Sequence, residues 1–323
     1  MPENDTLNEP RVLFIGGTGR CGSSILREAF GNHSQCGVLP FEYRFMIDPD
    51  GIFDFYKSYR EVWSPYNYDL RIKRLIRFLR TLAGGRTLGN HNPEAYLPQD
   101  QYKGWNLEER ITGFNEMIDE LEGDLIDFRY KGVWVGSPKN EDHEICFSHC
   151  RAEHTVKAAL QKFVYSALDQ LLKGMGKDIY IEDNTWNTLY APSLLEFFPN
   201  AHLIHIYRHP YDVIESFQRQ RWCPSDLKEA AAFYKSLIER WFEIKTQLPA
   251  SRYTEICYEK FVTAPIQTYQ RLCEIIGTEY QDAMNNIEIK TATVGQAEKR
   301  FSSDEIDLLN DGFSEYLETL GYK

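Results

Sequence analysis

The fold is decided by Arg11-Val12-Leu13-Phe14-Ile15 and by the segment directly after it, Gly16-Gly17-Thr18-Gly19-Arg20-Cys21-Gly22-Ser23-Ser24. The first five residues form a short apolar run that is typical of a buried strand. Glycines then interrupt the strand, and a helical pattern follows from about Ser23 to Phe30. Strand, glycine-rich turn and helix in this order predict the first unit of a parallel α/β sheet.

Three later segments repeat the alternation of strand and helix. Each is a short run of strand-forming residues with a helical pattern close behind it, and they are Asp178–Glu182, Ala201–Tyr207 and Tyr253–Cys257. Parallel strands joined by helices form a sheet that is covered on both faces. The sequence therefore predicts an α/β protein with a central parallel sheet.

From about residue 41 to residue 154 this alternation fades, and the chain becomes aromatic and charged. A segment of this length is too long for an unstructured loop in a compact domain. We therefore expect an insertion on the ligand side of the sheet that carries helices, one of them at Tyr68–Leu82. Basic residues recur along that helix from Arg71 to Arg80, and a solvated face is favoured over a site for an anionic ligand.

The composition excludes several classes of protein. The chain has 323 residues, 42% of them hydrophobic, and a formal net charge of -12. This negative charge argues against nucleic-acid partners and against binding to an anionic membrane surface. Any anionic ligand must therefore be held by a local cluster of cations and hydrogen-bond donors.

The cysteines and the first residues indicate the compartment. Seven cysteines, an odd number without regular spacing, are typical of reduced thiols. Residues 1–10 are polar and acidic, and no stretch approaches the roughly 18 apolar residues of a membrane helix. These features predict a cytoplasmic protein without a membrane partner.

The glycine-rich segment has the composition of a phosphate cradle. Glycines allow the backbone to curl, so that several N–H groups and the dipole of the following helix point at one anion, and the hydroxyls of Ser23 and Ser24 add donors. Gly17 and Gly22 have the spacing of G-x-x-x-x-G-K-[ST], but Ser23 occupies the lysine position and Arg20 is the nearby cation. This difference disfavours a nucleoside triphosphatase, and a turn without any ligand is the alternative.

A second cluster follows the strand that ends at Tyr207. Arg208 stands at the end of this strand, Pro210 suits the first turn of the next helix, and Ser216 lies about two turns into it. Ligands of an open parallel sheet bind beyond the carboxyl ends of its strands. A guanidinium and a hydroxyl at these places suit a second phosphate, although each alone is equally consistent with a surface charge and a buried hydroxyl.

Together these segments resemble the sulfotransferase family that uses 3'-phosphoadenosine 5'-phosphosulfate, PAPS. The segment from Gly19 to Leu26 is similar to its 5'-phosphosulfate loop, commonly written [KR]-x-G-[TS]-[TS]. Arg208, with Ser216 eight positions later, is similar to its 3'-phosphate motif, in which an arginine and a serine have the same spacing.

Two further segments follow in the family's order. Cys257–Phe261 with Pro265 resembles Y-E-x-L-x-x-x-P, and Gly295–Glu305 resembles G-R-W-x-x-x-L-S. The likeness covers residues 11–38 and 178–323. It implies a P-loop-like, three-layer α/β/α fold in which residues 1–323 form a single domain, with residues 41–154 as a helical insertion on the acceptor side.

The resemblance implies PAPS as the sulfuryl donor and adenosine 3',5'-bisphosphate as the product, with no metal required. The acceptor would be a small molecule that carries a hydroxyl or an amine, and the oligomeric state stays open. The residues that would bind the donor are Gly19, Arg20, Cys21, Gly22, Ser23, Ser24, Arg208, Ser216, Lys299 and Arg300.

The chain departs from the family at two places. Gln296 and Ala297 replace an arginine and a tryptophan of the C-terminal segment, which alters its contacts with the 3'-phosphate. Asn184-Thr185-Trp186 stands where the family usually has a lysine, then threonine or serine, then proline or histidine. Trp186 therefore excludes a histidine base at this position.

Sulfuryl transfer resembles phosphoryl transfer in needing in-line placement and neutralisation of charge. By this analogy, Arg20 stabilises the departing 5'-phosphate oxygen. Glu42 occurs where many carbohydrate and bacterial members of the family have a catalytic glutamate, and we expect it to be the general base. A surface carboxylate is the alternative for Glu42, and Asp183 and His91 are the next candidates for the base.

Two other functions stay open on the sequence. A small-molecule or nucleoside kinase with the same cradle is disfavoured by the missing lysine after Gly22 and by the lack of an evident magnesium carboxylate. A catalytically silent nucleotide-binding protein is the second alternative. Stabilisation by adenosine 3',5'-bisphosphate without magnesium, or by ATP with magnesium, separates the sulfotransferase from the kinase.

Overall fold

The computed structural model describes residues 8–40, 42, 44–84, 105–135, 142–289 and 293–323. The chain divides into two compact units. The sheet unit consists of Arg11–Glu42 and Asp178–Lys323, and the helical unit consists of Met1–Pro10 and Tyr43–Lys177. The helical unit extends past the predicted end of the insertion at residue 154, while the assignment of one domain to the whole chain stays a prediction.

The strands, in chain order, are β1 (Arg11–Gly16), β2 (Cys36–Gly37), β3 (Phe128–Gly132), β4 (His143–Phe147), β5 (Ile179–Asp183), β6 (His202–Tyr207) and β7 (Tyr253–Cys257). The four strands named from the sequence agree with β1, β5, β6 and β7 to within one residue at each end.

The helices are α1 (Ser23–Gly31), α2 (Ile52–Glu61), α3 (Pro65–Ala83), α4 (Leu107–Arg110), α5 (Phe114–Leu125), α6 (Glu153–Met175), α7 (Ala191–Phe197), α8 (Pro210–Phe217), α9 (Leu227–Lys245), α10 (Tyr258–Thr263), α11 (Pro265–Ile275), α12 (Gln296–Arg300) and α13 (Ser303–Thr319). Short 3-10 helices lie at Thr185–Thr188, Ala250–Arg252 and Asp282–Asn285.

The sheet unit is built on a five-stranded sheet in the order β2-β5-β1-β6-β7. All neighbouring strands are parallel, and Leu13 of β1 pairs with Ile181 on one side and with His202 on the other. The carboxyl ends of the strands therefore meet at one edge. The predicted α/β fold with a central parallel sheet flanked by helices is confirmed.

The core explains why β1 is apolar along its length. Leu13 and Ile15 belong to the apolar cluster that also contains Leu26 of α1, whereas Phe14 contacts Phe198, with ring centroids 5.4 Å apart. Successive side chains of a strand point to opposite faces, so β1 is covered on both. Complete burial of such a side chain contributes about 1.5 to 3 kcal/mol.

The helical unit contains the predicted helix at Tyr68–Leu82, which is α3. Ser64 caps its first turn by accepting a hydrogen bond of 3.1 Å from the N–H of Asn67, and Gly84 ends it with a φ of 97°. Four of the five basic side chains of α3 form ion pairs, which are Arg71–Asp54, Lys73–Asp69, Arg74–Asp50 and Arg80–Asp119. These pairs support the solvated face and not a site for an anionic ligand. The antiparallel pair β3-β4 was not predicted.

Two further features concern the cysteines and the hydropathy of the helices. All seven cysteines lie in the described residues, and none of them forms a disulfide. Within those same residues, no helix combines the length and the apolar character that crossing a membrane requires.

Candidate functional site

The loop between β1 and α1 owes its shape to residues in the left-handed region. Gly19, Arg20 and Gly22 have φ values of 84°, 57° and 97°. A side chain is disfavoured by about 1 to 2 kcal/mol in this region, so Arg20 is held there by its surroundings. A Cβ atom at Gly22 would lie 2.5 Å from Cδ2 of Tyr258, and one at Gly17 would lie 2.4 Å from the carbonyl oxygen of Ile206. The glycines therefore permit both the curl and the close approach of neighbouring segments.

The first turn of α1 is available to an anion. Gly22 is the N-cap of this nine-residue helix, and because it has no side chain it caps none of the first N–H groups. Ser23 and Ser24 add hydroxyls at the same end. Uncapped N–H groups and the helix dipole together favour a phosphate or a sulfate.

Arg20 and Arg208 bring the two predicted motifs together. The Nε of Arg20 donates a hydrogen bond of 3.0 Å to the Ser216 hydroxyl, and a guanidinium nitrogen of Arg208 donates one of 3.3 Å to the carbonyl oxygen of Arg20. Arg208 is only 7% exposed, and its guanidinium lies 5.2 Å from the ring centroid of Tyr258. Its Nε is buried without a hydrogen-bond partner in the part of the chain that the structure describes. A buried donor of this kind calls for an acceptor, and an anionic ligand supplies one.

These residues surround a cavity of about 290 Å³ that we call the cradle cavity. It is lined by Arg20, Gly22, Ser23, Ser24, Ile25, Arg208, Tyr258, Glu288 and Thr293. Ile25 and Tyr258 were part of recognised motifs but were given no role, and no sequence signal pointed to Glu288 or Thr293. The Tyr258 hydroxyl lies 2.9 Å from the Thr293 hydroxyl, so one wall is itself hydrogen-bonded.

Asp183, an alternative candidate for the base, lies beside the loop after β1, a position that the sequence did not predict. It ends β5, the neighbour of β1, and is 7% exposed. Burial raises its pKa, while hydrogen bonds from Ser23 and Ser24 and the charge of Arg27 act in the opposite direction. A carboxylate therefore does lie beside the loop, although the sequence showed no evident magnesium carboxylate, because the order of strands in the sheet decides which side chains meet.

Several predicted donor-binding residues do not line the cradle cavity. Cys21 is completely buried in the apolar cluster, and burial raises the pKa of its thiol to about 11. Its role can therefore come only from its backbone. Arg300 forms an ion pair with Glu215 of α8, and Lys299 is exposed. Ser216, which is 2% exposed, contacts the cavity through Arg20.

Glu42 is half-buried and follows the end of β2 by five residues. Its neighbours Phe41 and Tyr43, and also His91, lie outside the described residues. The carboxyl end of β2 is at the same edge of the sheet as the loop after β1, since the strands are parallel. The role of Glu42 as a base stays a prediction.

Two tryptophans stand beside the loop. The rings of Trp186 and Trp222 are nearly perpendicular, at 87°, with centroids 6.4 Å apart. Trp222 is 48% exposed, and a Cβ atom at Gly19 would lie 2.8 Å from its Cη2. This aromatic wall, Trp186 and Trp222, offers an apolar surface next to Arg20.

A larger cavity of about 500 Å³ lies near α12 and α13 and is less suited to a phosphate. The carboxylates of Asp212, Glu259 and Glu298 line it. Three carboxylates against the single cation Lys323 repel an anion, whereas the cradle cavity has two guanidinium groups against the single carboxylate of Glu288. In the part of the chain that is described, no group of three or more histidine, cysteine, aspartate or glutamate side chains is arranged to hold a metal ion.

Comparison with known proteins adds the family. The sequence model of the sulfotransferase family matches residues 120–282, about half of the chain. This range includes Asp183, Arg208, Ser216 and Tyr258 and ends before α12; it begins after the loop at Arg20. No curated protein matches the sequence significantly.

Among solved structures, the sulfotransferase domain from the Synechococcus PCC 7002 olefin synthase is similar in fold. It has 16% sequence identity and a TM-score of 0.51, and the alignment covers 95% of this chain and 96% of that domain. Sulfotransferase STF9 from Mycobacterium avium has 12% identity and a TM-score of 0.45, with 97% and 77% of the two chains covered. Only the first likeness is strong enough to support the fold.

Proposed function

Since the chain belongs to the sulfotransferase family, we propose that it transfers a sulfuryl group from PAPS to a hydroxyl or an amine of a small molecule. The observation that carries this proposal is the contact between Arg20 and Ser216 at the cradle cavity. This contact joins the loop after β1, which suits one anion, with α8, which suits a second anion. PAPS carries two such anions, a 5'-phosphosulfate and a 3'-phosphate.

The residues of the cradle divide between these two anions. The N–H groups at the start of α1, with Ser23 and Ser24, would bind the 5'-phosphosulfate. Arg208 and Ser216 would bind the 3'-phosphate, to which the buried Nε of Arg208 can donate. Lys299 and Arg300 would approach the 3'-phosphate only if Arg300 left its ion pair with Glu215.

The transfer itself exchanges one bond to sulfur for another. The bond between sulfur and the 5'-phosphate oxygen breaks, and its electron pair stays on that oxygen in adenosine 3',5'-bisphosphate. The acceptor oxygen or nitrogen forms the new bond to sulfur, and its proton passes to Glu42 as the general base. Arg20 stabilises the charge that grows on the departing oxygen, and this scheme requires no metal.

The acceptor and the compartment follow from the surroundings. The aromatic wall next to Arg20 supports a small molecule with an apolar part. The net charge of -12 disfavours a nucleic acid as the acceptor. Seven cysteines without a disulfide support a reducing compartment, the cytoplasm.

One observation favours a second candidate, a kinase. Asp183 contacts Ser23 and Ser24, and in P-loop kinases an aspartate and a loop hydroxyl hold magnesium. The lysine of the kinase loop is nevertheless absent, because Ser23 occupies its position. The family match also supports sulfuryl transfer over phosphoryl transfer.

Thermal stabilisation separates the two candidates. We expect adenosine 3',5'-bisphosphate to raise the melting temperature equally with and without magnesium, because binding to the native state alone stabilises it. Stabilisation by ATP that depends on magnesium would support the kinase instead. Incubation of the protein with sulfur-labelled PAPS and a metabolite extract then identifies the acceptor, and a complete lack of labelled product would count against the transferase.

A further inference from the structure

Asp212, on α8, connects Arg208 with the segment at the start of α12. It is 2% exposed. Its Oδ2 accepts a hydrogen bond of 2.8 Å from the N–H of Gly295, and its Oδ1 accepts one of 2.8 Å from the N–H of Ala297. The same Oδ2 lies 3.3 Å from the Nη2 of Arg208. One buried carboxylate therefore contacts both the cation assigned to the 3'-phosphate and the segment that begins α12.

The other end of α12 is bound to the same helix. Arg300, the last residue of α12, forms an ion pair with Glu215, which is 5% exposed. Asp212 and Glu215 lie three residues apart on α8 and so project from nearly the same face. Ser216 follows Glu215 directly. Both ends of α12 are thus held along the helix that carries the 3'-phosphate motif.

Arg208 is held by several neighbours at once. Its Nη2 donates to the carbonyl oxygen of Thr293, its Nη1 donates to Arg20, and its guanidinium lies against Tyr258. Its Nε, by contrast, has no partner in the described ranges. The contacts with Asp212 and Thr293 therefore fix the orientation of the group and leave its Nε for a ligand.

Resting on the proposed function, we propose that Asp212 is the positioning residue for recognition of the donor's 3'-phosphate. A carboxylate repels a phosphate, so Asp212 acts through its two partners and not by contact. It orients the guanidinium of Arg208 and docks residues 293–300 beside it. Binding is stronger when such groups are ordered beforehand, because less freedom is lost on association.

The test compares two nucleotides by calorimetry in the full chain. Adenosine 3',5'-bisphosphate and adenosine 5'-phosphate differ only in the 3'-phosphate, so the ratio of their dissociation constants reports its recognition alone. In Asp212→Asn the amide nitrogen cannot accept a hydrogen bond, and the charge that orients Arg208 is lost. We expect the wild-type preference for the bisphosphate to fall about tenfold or more, with the affinity for adenosine 5'-phosphate changed less than about threefold.

A merely structural role predicts a different result. It would weaken both nucleotides equally and leave the ratio unchanged, and that outcome would refute the positioning role. Asp226→Asn is the matched control, because the Asp226 carboxylate accepts from the N–H groups of Lys228 and Glu229 at the start of α9. We expect this control to keep the wild-type ratio.

A second variant tests the same contact from the other side. Ala297→Pro retains Asp212 but removes an N–H that donates to it, and proline is tolerated in the first turn of a helix. Ala297→Gly retains the N–H and controls for the lost side chain. We expect the preference for the bisphosphate over adenosine 5'-phosphate to fall in the proline variant and to stay at the wild-type value in the glycine variant. An unchanged preference in the proline variant would refute the inference even if Asp212→Asn fails to fold.

The proposed function and this inference fail in different ways. A wild-type protein that binds both nucleotides with equal affinity would contradict PAPS as the donor. A wild-type preference for the bisphosphate that persists in both Asp212→Asn and Ala297→Pro would contradict only the role of Asp212.

Discussion

Arg20 and Ser216 lie 196 positions apart in the sequence and are joined by a hydrogen bond of 3.0 Å from the Arg20 Nε to the Ser216 hydroxyl. One belongs to the loop after β1 and the other to α8, which follows β6, and β1 and β6 are neighbours in the sheet. Two parallel strands side by side therefore deliver the two halves of one anion site to the same edge.

We expect Arg208→Ala to weaken the binding of adenosine 3',5'-bisphosphate by about 1.5 to 3 kcal/mol, the range for a hydrogen bond to a charged group. The loss should be far smaller for adenosine 5'-phosphate, because Arg208 is assigned to the 3'-phosphate. Ser216→Ala should show the same selectivity with a smaller loss. Calorimetric titration with both nucleotides measures this, and equal losses for the two would show that Arg208 does not recognise the 3'-phosphate.

Arg20→Ala should lower turnover more than it lowers affinity for the product. Charge builds on the bridging oxygen only as the bond to sulfur breaks, so the contribution of Arg20 is largest in the transition state. Removal of one such donor lowers kcat by about 10² to 10³. Steady-state kinetics together with product binding provide the measurement. A variant with normal kcat and only a raised KM would identify Arg20 as a uniform binding residue.

Glu42→Gln should reduce turnover by roughly 10² to 10⁴, because glutamine retains the size of the side chain and lacks its basicity. Binding of adenosine 3',5'-bisphosphate should not change, since Glu42 does not line the cradle cavity. Transfer rates with labelled PAPS and the identified acceptor test this. A fall of less than about threefold would exclude Glu42 as the base and direct attention to Asp183.

Asp183→Asn should strengthen the binding of adenosine 3',5'-bisphosphate, by about three- to tenfold at neutral pH. Burial raises the pKa of Asp183, because the ionised carboxylate is destabilised when it is removed from water. The negative charge of the ionised form also repels an incoming phosphate. Protonation removes that charge, so the wild type should approach the variant as the pH falls toward the raised pKa. The ratio of their dissociation constants, titrated from pH 8 to pH 4, cancels the protonation of the ligand itself.

The opposite result for Asp183 has a definite meaning. If Asp183 held magnesium beside Ser23, Asp183→Asn would abolish the stabilisation by ATP and magnesium and would not improve binding of the bisphosphate. Ser24→Ala, which removes one hydroxyl that contacts Asp183, is the companion variant. It should not reproduce the gain in affinity, because the charge remains.

The stability of the sheet unit should fall in acid through Glu255. Burial raises the pKa of Glu255, but the hydrogen bonds from His205 and Trp241 and the charge of Lys245 outweigh it and lower the pKa from 4.5 to about 2. A carboxyl with a lowered pKa in the folded state stabilises it above pH 4.5, and this contribution is lost as the pH falls from 4.5 to 2. Urea midpoints of the wild type and Glu255→Gln should therefore differ at pH 7 and converge near pH 2, and a constant difference would contradict this.

The sequence determined the elements that depend on neighbouring residues. Apolar runs gave β1, β5, β6 and β7, because a buried parallel strand needs such a run wherever it lies. The left-handed loop followed from Gly19 and Gly22, since glycine adopts positive φ without strain. Arg208 and Ser216 were recognised by a spacing of eight positions within one strand and helix.

Only the tertiary structure decided which of these elements meet. Asp183 contacts Ser23 because β5, and not β2, lies beside β1, and no local pattern specifies the order of strands. The same holds for Tyr258, whose ring fills the space that a Cβ atom at Gly22 would need. Arg300 resembled a ligand of the 3'-phosphate in sequence, yet its guanidinium pairs with the buried carboxylate of Glu215. A charged side chain forms an ion pair with whichever opposite charge the packing places next to it, so its partner is determined only by the folded structure.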